Sequence, residues 1–525
     1  MGEPATEPRR TGVDQSVQRH QAEVFRDPET EPVLGEEKKP VEIKSRGEGV
    51  KTFDDKYVYF EPALSHGDIF GIGTALHFGG KAPSRTIPNP GGSSLPFHSL
   101  PVFSVARMKV PVGKIHSVAI LGGGPAASTL AILLARAGIR VAIWHKPKRA
   151  SLIVGESLVP AIIPMLQKLG VEDEVRRFST LKPGATFNLT DDLNFSFFFE
   201  RLGNATANYA YNVPRDRFDD ALLSAARKAG AKIFDAMANV ERVSRSDRVQ
   251  LTRETIDATD GFFTQSPDWI VDATGRVRLL PNLLGIPSRE GMRKDAALFA
   301  HVDKTHLDQA GHVHTTRLDH GWSWRIPLPD RVSLGMVIGA EHLPKFGATK
   351  EERYDNLLRQ DSALRVVACG AKRITPVMEY TNYQLISERV VGDRWALVGD
   401  TAGFVDPVFS SGLFLGMQGA FMLADAIADG SPAAFQKYQR ETHHHLETWQ
   451  EIIGYYYDGR LFTFFKVGQM LRNTLLVKAT FAHMEKHLGR IFSGAASTSP
   501  YSVGLLRFAM KYGLKDENPK ELAIR

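Results

Sequence analysis

The chain has 525 residues, a formal net charge of +6 at pH 7, 43% hydrophobic and 24% charged residues, values ordinary for a globular protein with a sizeable core. The mild basicity, with no dense Lys/Arg stripe interleaved with aromatics, argues against nucleic-acid binding. A single cysteine, Cys369, excludes an intramolecular disulfide and a cysteine-held metal cluster. No run approaches the roughly 18 consecutive apolar residues of a membrane span, and the polar start MGEPATEPRR is unlike a signal peptide. The expectation is a cytoplasmic protein without a membrane span.

Residues 1–50 are rich in Glu, Lys, Arg and Pro and read as a disordered charged tail. Residues 51–113 add aromatics but are broken repeatedly, as in PSRTIPNPGG, and read as an irregular N-terminal extension. Order begins near Val118. VAILGGGPAASTLAILLARAGIRVAIW reads as a buried strand, a glycine turn, an apolar helix ending near Gly138 and a second strand. Gly122, Gly124 and Ala127 form G-x-G-x-x-A in the context a dinucleotide fingerprint needs: strand before, helix after. The acidic residue expected at the end of the second strand is replaced by His145, with Lys146, Lys148 and Arg149 following. Those basic residues read either as a site for a 2′-phosphate or as a solvated loop.

Further along, VPRDRFDDALLSAARKAGAKIF reads as a helix feeding a strand, and residues from about 290 to 390 as an antiparallel sheet. Within it lies HGWSWRIPL. Alternation along a strand puts Trp322, Trp324 and Ile326 on one side and Ser323 and Arg325 on the other. The pattern reads as a half-buried strand packing its aromatic face, or as a partition beside a reactive cofactor. The last 110 residues or so are helical in pattern. His443, His444 and His445 diverge by about 100° each on a helix and read as an exposed face. Cys369 reads as a small buried residue.

Three segments together carry a resemblance: the fingerprint turn, VDATGR (Val271–Arg276), and WALVGDTAGFVDPVFSSGLFLGMQGA (Trp395–Ala420). They are similar to the large FAD-binding fold of aromatic hydroxylases, and YNVPRDRFDD resembles that fold's V-x-R-x-x-F-D segment. WSWRIP then matches the W-x-W-x-I-P motif of flavin-dependent halogenases. Phe404, Pro407, Ser410 and Gly412 reproduce F-x-x-P-x-x-S-x-G, and GESLVP resembles G-E-[SA]-x-x-P. The chain thus resembles the tryptophan-halogenase-like superfamily over roughly residues 115–470, on its phenol- and pyrrole-type branch.

The resemblance implies an α/β protein. A GR2-type, Rossmann-like FAD-binding fold is interleaved with an antiparallel-sheet substrate domain over 114–430, followed by a helical region over 431–525. It implies FAD, used as FADH2, at Gly122, Gly123, Gly124, Ala126, Ala127, Glu156, Arg215, Asp400 and Leu413. Chloride or bromide is expected at Ser411 and Gly412, where a helix N-terminus suits an anion. Lys182, in STLKPGATFNL, matches the family's catalytic lysine, which receives hypohalous acid made from a flavin hydroperoxide. Trp322, Trp324 and Ile326 would keep the organic substrate away from the flavin.

Phe409 stands where relatives acting on free tryptophan carry glutamate. That favours a phenol- or pyrrole-like ring, free or tethered to a carrier protein, with no metal involved. Reduced flavin is expected from a separate NAD(P)H-dependent reductase. The rival readings are an FAD-dependent aromatic monooxygenase or isoprenoid reductase, and a catalytically silent flavin-binding protein.

Overall fold

Five consecutive buried residues, Ser117–Leu121, form a central strand covered on both faces, which is why the run is apolar without alternation. The computed structural model describes residues 113–525 apart from 147–151, 191–192, 204–205, 245, 292, 382–383, 471–474 and 515–516. The expected charged tail and the extension up to residue 112 lie outside the described residues, as do Lys148 and Arg149.

Ser117–Leu121 pairs in parallel with Arg140–Trp144 on one side and Trp269–Asp272 on the other. Lys232–Phe234 and Trp395–Leu397 extend the parallel sheet, and Val391–Gly392 closes one edge as an antiparallel strand. The helices Pro125–Arg136, Arg215–Lys228 and Ser411–Asp429 pack on it. The last of these is long and apolar enough to cross a membrane by length and composition, but 56% of its apolar window is buried, and it packs against the first helix and Pro432–Tyr457. Its apolarity is that of a core helix.

The second sheet has seven strands in the order Met378–Thr381, Asp295–Val302, Val332–Gly339, Gly321–Pro327, Val313–Leu318, Gly184–Thr190 and Leu193–Phe198. The expected antiparallel pairing holds at every joint except one: Val313–Leu318 runs parallel to Gly184–Thr190, which comes from far upstream. The strand Gly321–Pro327 is buried along its whole length, not half-buried. Trp322, Trp324 and Ile326 face a core shared with the C-terminal helices, which contribute Trp449, Tyr456 and Phe492. Neighbouring strands turn Leu298, Leu334 and Met336 to the opposite side, under the helices Lys350–Gln360 and Ser362–Val367. Those helices, the first held by a capping box between Thr349 and Glu352, bury the face that carries Ser323 and Arg325.

Two smaller expectations are corrected. Cys369 is exposed, because it lies in the turn just past the helix Ser362–Val367. Of the three consecutive histidines only His444 is exposed, and His443 Nε2 lies 2.9 Å from the Ser387 carbonyl. One helix face here turns toward the neighbouring loop instead of water.

Candidate active site

The fingerprint turn leaves the central strand at Gly122, whose φ of +107° belongs to the region glycine favours. A Cβ there would lie 2.3 Å from the carbonyl oxygen of Ala273, so the turn and the loop after Trp269–Asp272 approach backbone to backbone. Asp272 shapes that second loop. Its fully buried carboxylate accepts from the Thr274 amide at 2.8 Å, the Thr274 hydroxyl at 2.6 Å and the Leu280 amide at 2.7 Å. Pro125 opens the helix behind the turn without wasting an amide donor, leaving its first N–H groups directed at the cleft.

The cleft, which is partly open to solvent, has a cavity volume of about 340 Å³. Gly122, Gly123, Gly124, Ala126, Ala127, Glu156, Arg215, Asp400, Gly412 and Leu413 all border it, as do Trp322, Trp324 and Ile326. Arg215 is aligned by two hydrogen bonds to Asp219, at 2.9 and 3.2 Å, and by one to the Val154 carbonyl. Burial pushes the Asp400 carboxyl up to about 6, against the pull of Arg215 and Arg276. Glu156 is 1% exposed; Oε1 is hydrogen-bonded to His301, while Oε2 has no partner among the described residues. His145 follows the second strand with Nε2 2.8 Å from Asp235, so its side chain is already engaged by a carboxylate. A backbone cradle that excludes side chains, two helix N-termini and a buried acceptor in want of a donor fit FAD.

Lys182 lies outside this cleft. It ends the short strand Thr180–Lys182, which pairs with Ala210–Asn212, and its side chain turns inward to 2% exposure while Leu181 faces solvent. Nζ donates to the Ser157 hydroxyl and the Leu158 carbonyl, both at 2.8 Å, and sits 5.5 Å from the Phe199 ring centre. Among the described residues no carboxylate pairs with it. Burial therefore pulls its pKa down to about 7. The ammonium borders a second, smaller space lined by Phe187, Phe197, Phe199, Phe409 and Phe492. Phe409 stacks on Phe492 with centroids 4.6 Å apart.

Val313, Val408 and Ser410 border both spaces. The tryptophans border only the cleft. Trp324 lies flat across Gly335, where a Cβ would come within 2.2 Å of its ring, and its Nε1 donates to Ser333 at 3.2 Å. Trp322 Nε1 donates to the Tyr457 hydroxyl at 2.9 Å.

The turn before Ser411–Asp429 is capped by Asp406, which accepts from the Val408 amide at 3.0 Å. Ser410 follows in a left-handed conformation, φ +58°, and aims the chain into the helix. Ser411 is fully buried, and its hydroxyl has no partner among the described residues.

Sequence reasoning missed His301, Tyr457 and the bordering Val313, which lie in none of the sequence motifs. Ser157 fills the [SA] position of its motif but was given no role, and Val408 falls at a position its motif leaves unspecified.

The family model described as tryptophan halogenase matches residues 117–205 and 199–465. The chain is 28% identical over 381 residues to a 1H-pyrrole-2-carbonyl-[peptidyl-carrier protein] chlorinase of Pseudomonas fluorescens, covering 65% of this chain and 83% of that one. It is also 28% identical over 371 residues to a tryptophan 2-halogenase of Chondromyces crocatus, covering 67% and 70%. The fold matches the flavin-dependent brominase Bmp2 with a TM-score of 0.63 at 20% identity, over 75% of this chain and 98% of that one. With the family match spanning most of the chain and the cleft built for FAD, the chain belongs to the tryptophan halogenase family and is a flavin-dependent halogenase.

Proposed function

We propose that the protein halogenates an uncharged, electron-rich single ring of phenol or pyrrole type, with Lys182 presenting the halogen. The observation that carries the reading is the setting of Lys182: a buried amine with no carboxylate partner among the described residues, in a mostly apolar space whose lining includes five phenylalanines, next to the cleft but separated from it. Among the described residues no carboxylate or guanidinium borders that space, so nothing there besides the reacting Lys182 would hold the charged groups of a free amino acid. Phe409 in particular stacks on Phe492 where a charged group would be left unpaired. The pyrrolyl-carrier chlorinase among the relatives supports a ring that is free or carrier-tethered.

Held at Gly122–Ala127, Glu156, Arg215, Asp400 and Leu413, FADH2 supplies with O2 the oxidising power that converts halide and a proton to hypohalous acid and water. The backbone N–H groups of Ser411 and Gly412, at the start of a 19-residue helix, hold the halide. Trp322, Trp324 and Ile326 fill the cleft wall with apolar surface that excludes water and the aromatic substrate. Lys182 then takes the hypohalous acid at Nζ. Ser157 and Leu158 fix two of its hydrogens, leaving the third position on nitrogen for the reagent. The ring carbon gains the halogen as the O–X bond breaks, and the displaced ring proton leaves with the hydroxide as water.

A separate NAD(P)H-dependent reductase supplies reduced flavin in this reading. The test is mass spectrometry of phenol, pyrrole and indole substrates after incubation with FAD, a reductase, O2 and bromide. A brominated phenol or pyrrole is expected, and Lys182→Ala should abolish it while FAD still binds. Full activity in that variant removes the lysine from the mechanism. Fast flavin reduction by NADPH without a reductase would favour the monooxygenase reading.

A further inference from the structure

Two walls of the cleft come from distant parts of the chain, the tryptophan strand Gly321–Pro327 and the turn Pro407–Gly412. They are joined by a hydrogen-bonded chain through a residue that belongs to neither. Trp322 Nε1 donates to the Tyr457 hydroxyl at 2.9 Å, and that hydroxyl donates to Asp406 Oδ2 at 2.8 Å. Asp406 is fully buried. Its other oxygen caps the turn at the Val408 amide, and Gln384 Nε2 reaches Oδ2 at 3.3 Å. The Arg293 guanidinium covers the Tyr457 ring at 4.4 Å and is itself held by Asp295 at 2.9 Å.

We propose that Tyr457, acting through Asp406 and Trp322, is a positioning residue that sets halide affinity by clamping the anion-binding turn against the tryptophan wall. The inference rests on the reading that Ser411 and Gly412 hold the halide.

The geometry makes the clamp specific. Tyr457 is the last residue of the helix Pro432–Tyr457, a third element packed against both walls, so it ties them to a common reference. Its hydroxyl is used twice, as acceptor from an indole donor and as donor to a carboxylate, and such chains strengthen one another in a dry interior. The conformation they hold in place is a costly one: Ser410 is a non-glycine residue at positive φ, a state that persists only where the surroundings over-determine it. If the turn relaxes, the amides of Ser411 and Gly412 drift from the wall and the space for the ion widens. A small ion loses more from that than a large one.

The test is Tyr457→Phe, which deletes one oxygen and keeps the ring under Arg293. Bromide is titrated calorimetrically into protein loaded with oxidised FAD. KM is measured separately for chloride and bromide at saturating aromatic substrate. The expected result is a chloride KM raised about tenfold, a smaller rise for bromide, a kcat at saturating halide within about twofold of the parent, and unchanged FAD binding. Asp406→Asn, which replaces the carboxyl oxygen that accepts from Tyr457, should shift the two KM values in the same order. Equal halide affinities in parent and Tyr457→Phe would overturn the clamp while leaving the halide site standing. No bromide binding by the parent protein would overturn the halide site, and the clamp with it.

Discussion

Glu156 Oε1 lies 2.7 Å from Nε2 of His301, and the proton between them belongs to the histidine. Arg331 Nε points at the other ring nitrogen, Nδ1, from 2.9 Å, and a guanidinium can only donate, so Nδ1 accepts and Nε2 carries the hydrogen. The arrangement fixes one tautomer and turns the carboxylate of Glu156 to the cleft. His301→Phe leaves that carboxylate buried without its donor. It should cost roughly 1–3 kcal/mol of stability in urea unfolding and weaken FAD binding. His301→Gln, which can still donate, should lose less of both, and equal losses in the two variants would mean that the ring's bulk matters more than its N–H.

Lys182 makes a prediction about pH that does not depend on turnover. Its pKa is about 7 in the folded protein, against the ordinary lysine value in the unfolded chain, so the unfolded state binds the proton more tightly. The resulting penalty on folding is full below pH 7 and fades as pH rises toward the unfolded value. Each tenfold difference in proton affinity between the two states is worth about 1.4 kcal/mol. Lys182→Met removes the penalty. The melting temperature of the variant should exceed that of the parent by more at pH 6 than at pH 9, and a gain independent of pH would place the lysine in a wetter setting.

Activity should carry the opposite limb of the same titration. If the free amine accepts the halogen, halogenation rises as pH increases through about 7, where Lys182 loses its proton. The check is the rate of product formation in a single turnover started with pre-reduced flavin, which keeps reductase kinetics out of the profile. A rate that falls across the same range would assign the work to the ammonium.

Phe409 is expected to set the size of ring admitted. Its stack on Phe492 and its place beside Lys182 make it both a core residue and a wall. Phe409→Ala should cost roughly 3–5 kcal/mol of stability and extend halogenation to bicyclic substrates, measured by denaturation and by product mass spectrometry. A variant that loses stability with no change in substrate range would make the residue core only.

Gly122→Ala tests the cradle. The added methyl would meet a backbone carbonyl that cannot swing aside, at a φ that alanine rarely adopts. The purified variant should hold little flavin, read from bound-FAD absorbance, while its far-ultraviolet circular dichroism stays near that of the parent. Stoichiometric flavin would show that the two loops can separate.

Much of this was legible in the amino-acid sequence because it is local. The turn at Gly122–Ala127 and the helix from Pro125 follow from a glycine pattern between an apolar strand and an apolar helix. The alternation in WSWRIP places both tryptophans on one side, and they share one side. Lys182 is singled out by its flanking residues, and it is buried, which is what lowers its pKa.

Other features depend on segments far apart in the chain, and only the tertiary structure decided them. Cys369 is exposed because of where a helix happens to end, which composition does not encode. The strand Gly321–Pro327 is buried on both faces because helices from residues 350–367 cover the side carrying Ser323 and Arg325.

Sequence by itself thus determined the elements, the glycine cradle and the chemical types at the site, since those rest on backbone conformation and on side-chain alternation within a few residues. Only the folded chain decided which space each residue borders: Val313 between cleft and cavity, His301 behind Glu156, Tyr457 between Asp406 and Trp322. Those relations are hydrogen bonds and contacts across separations as large as 145 residues, and nothing in a local pattern specifies the partner at such a distance.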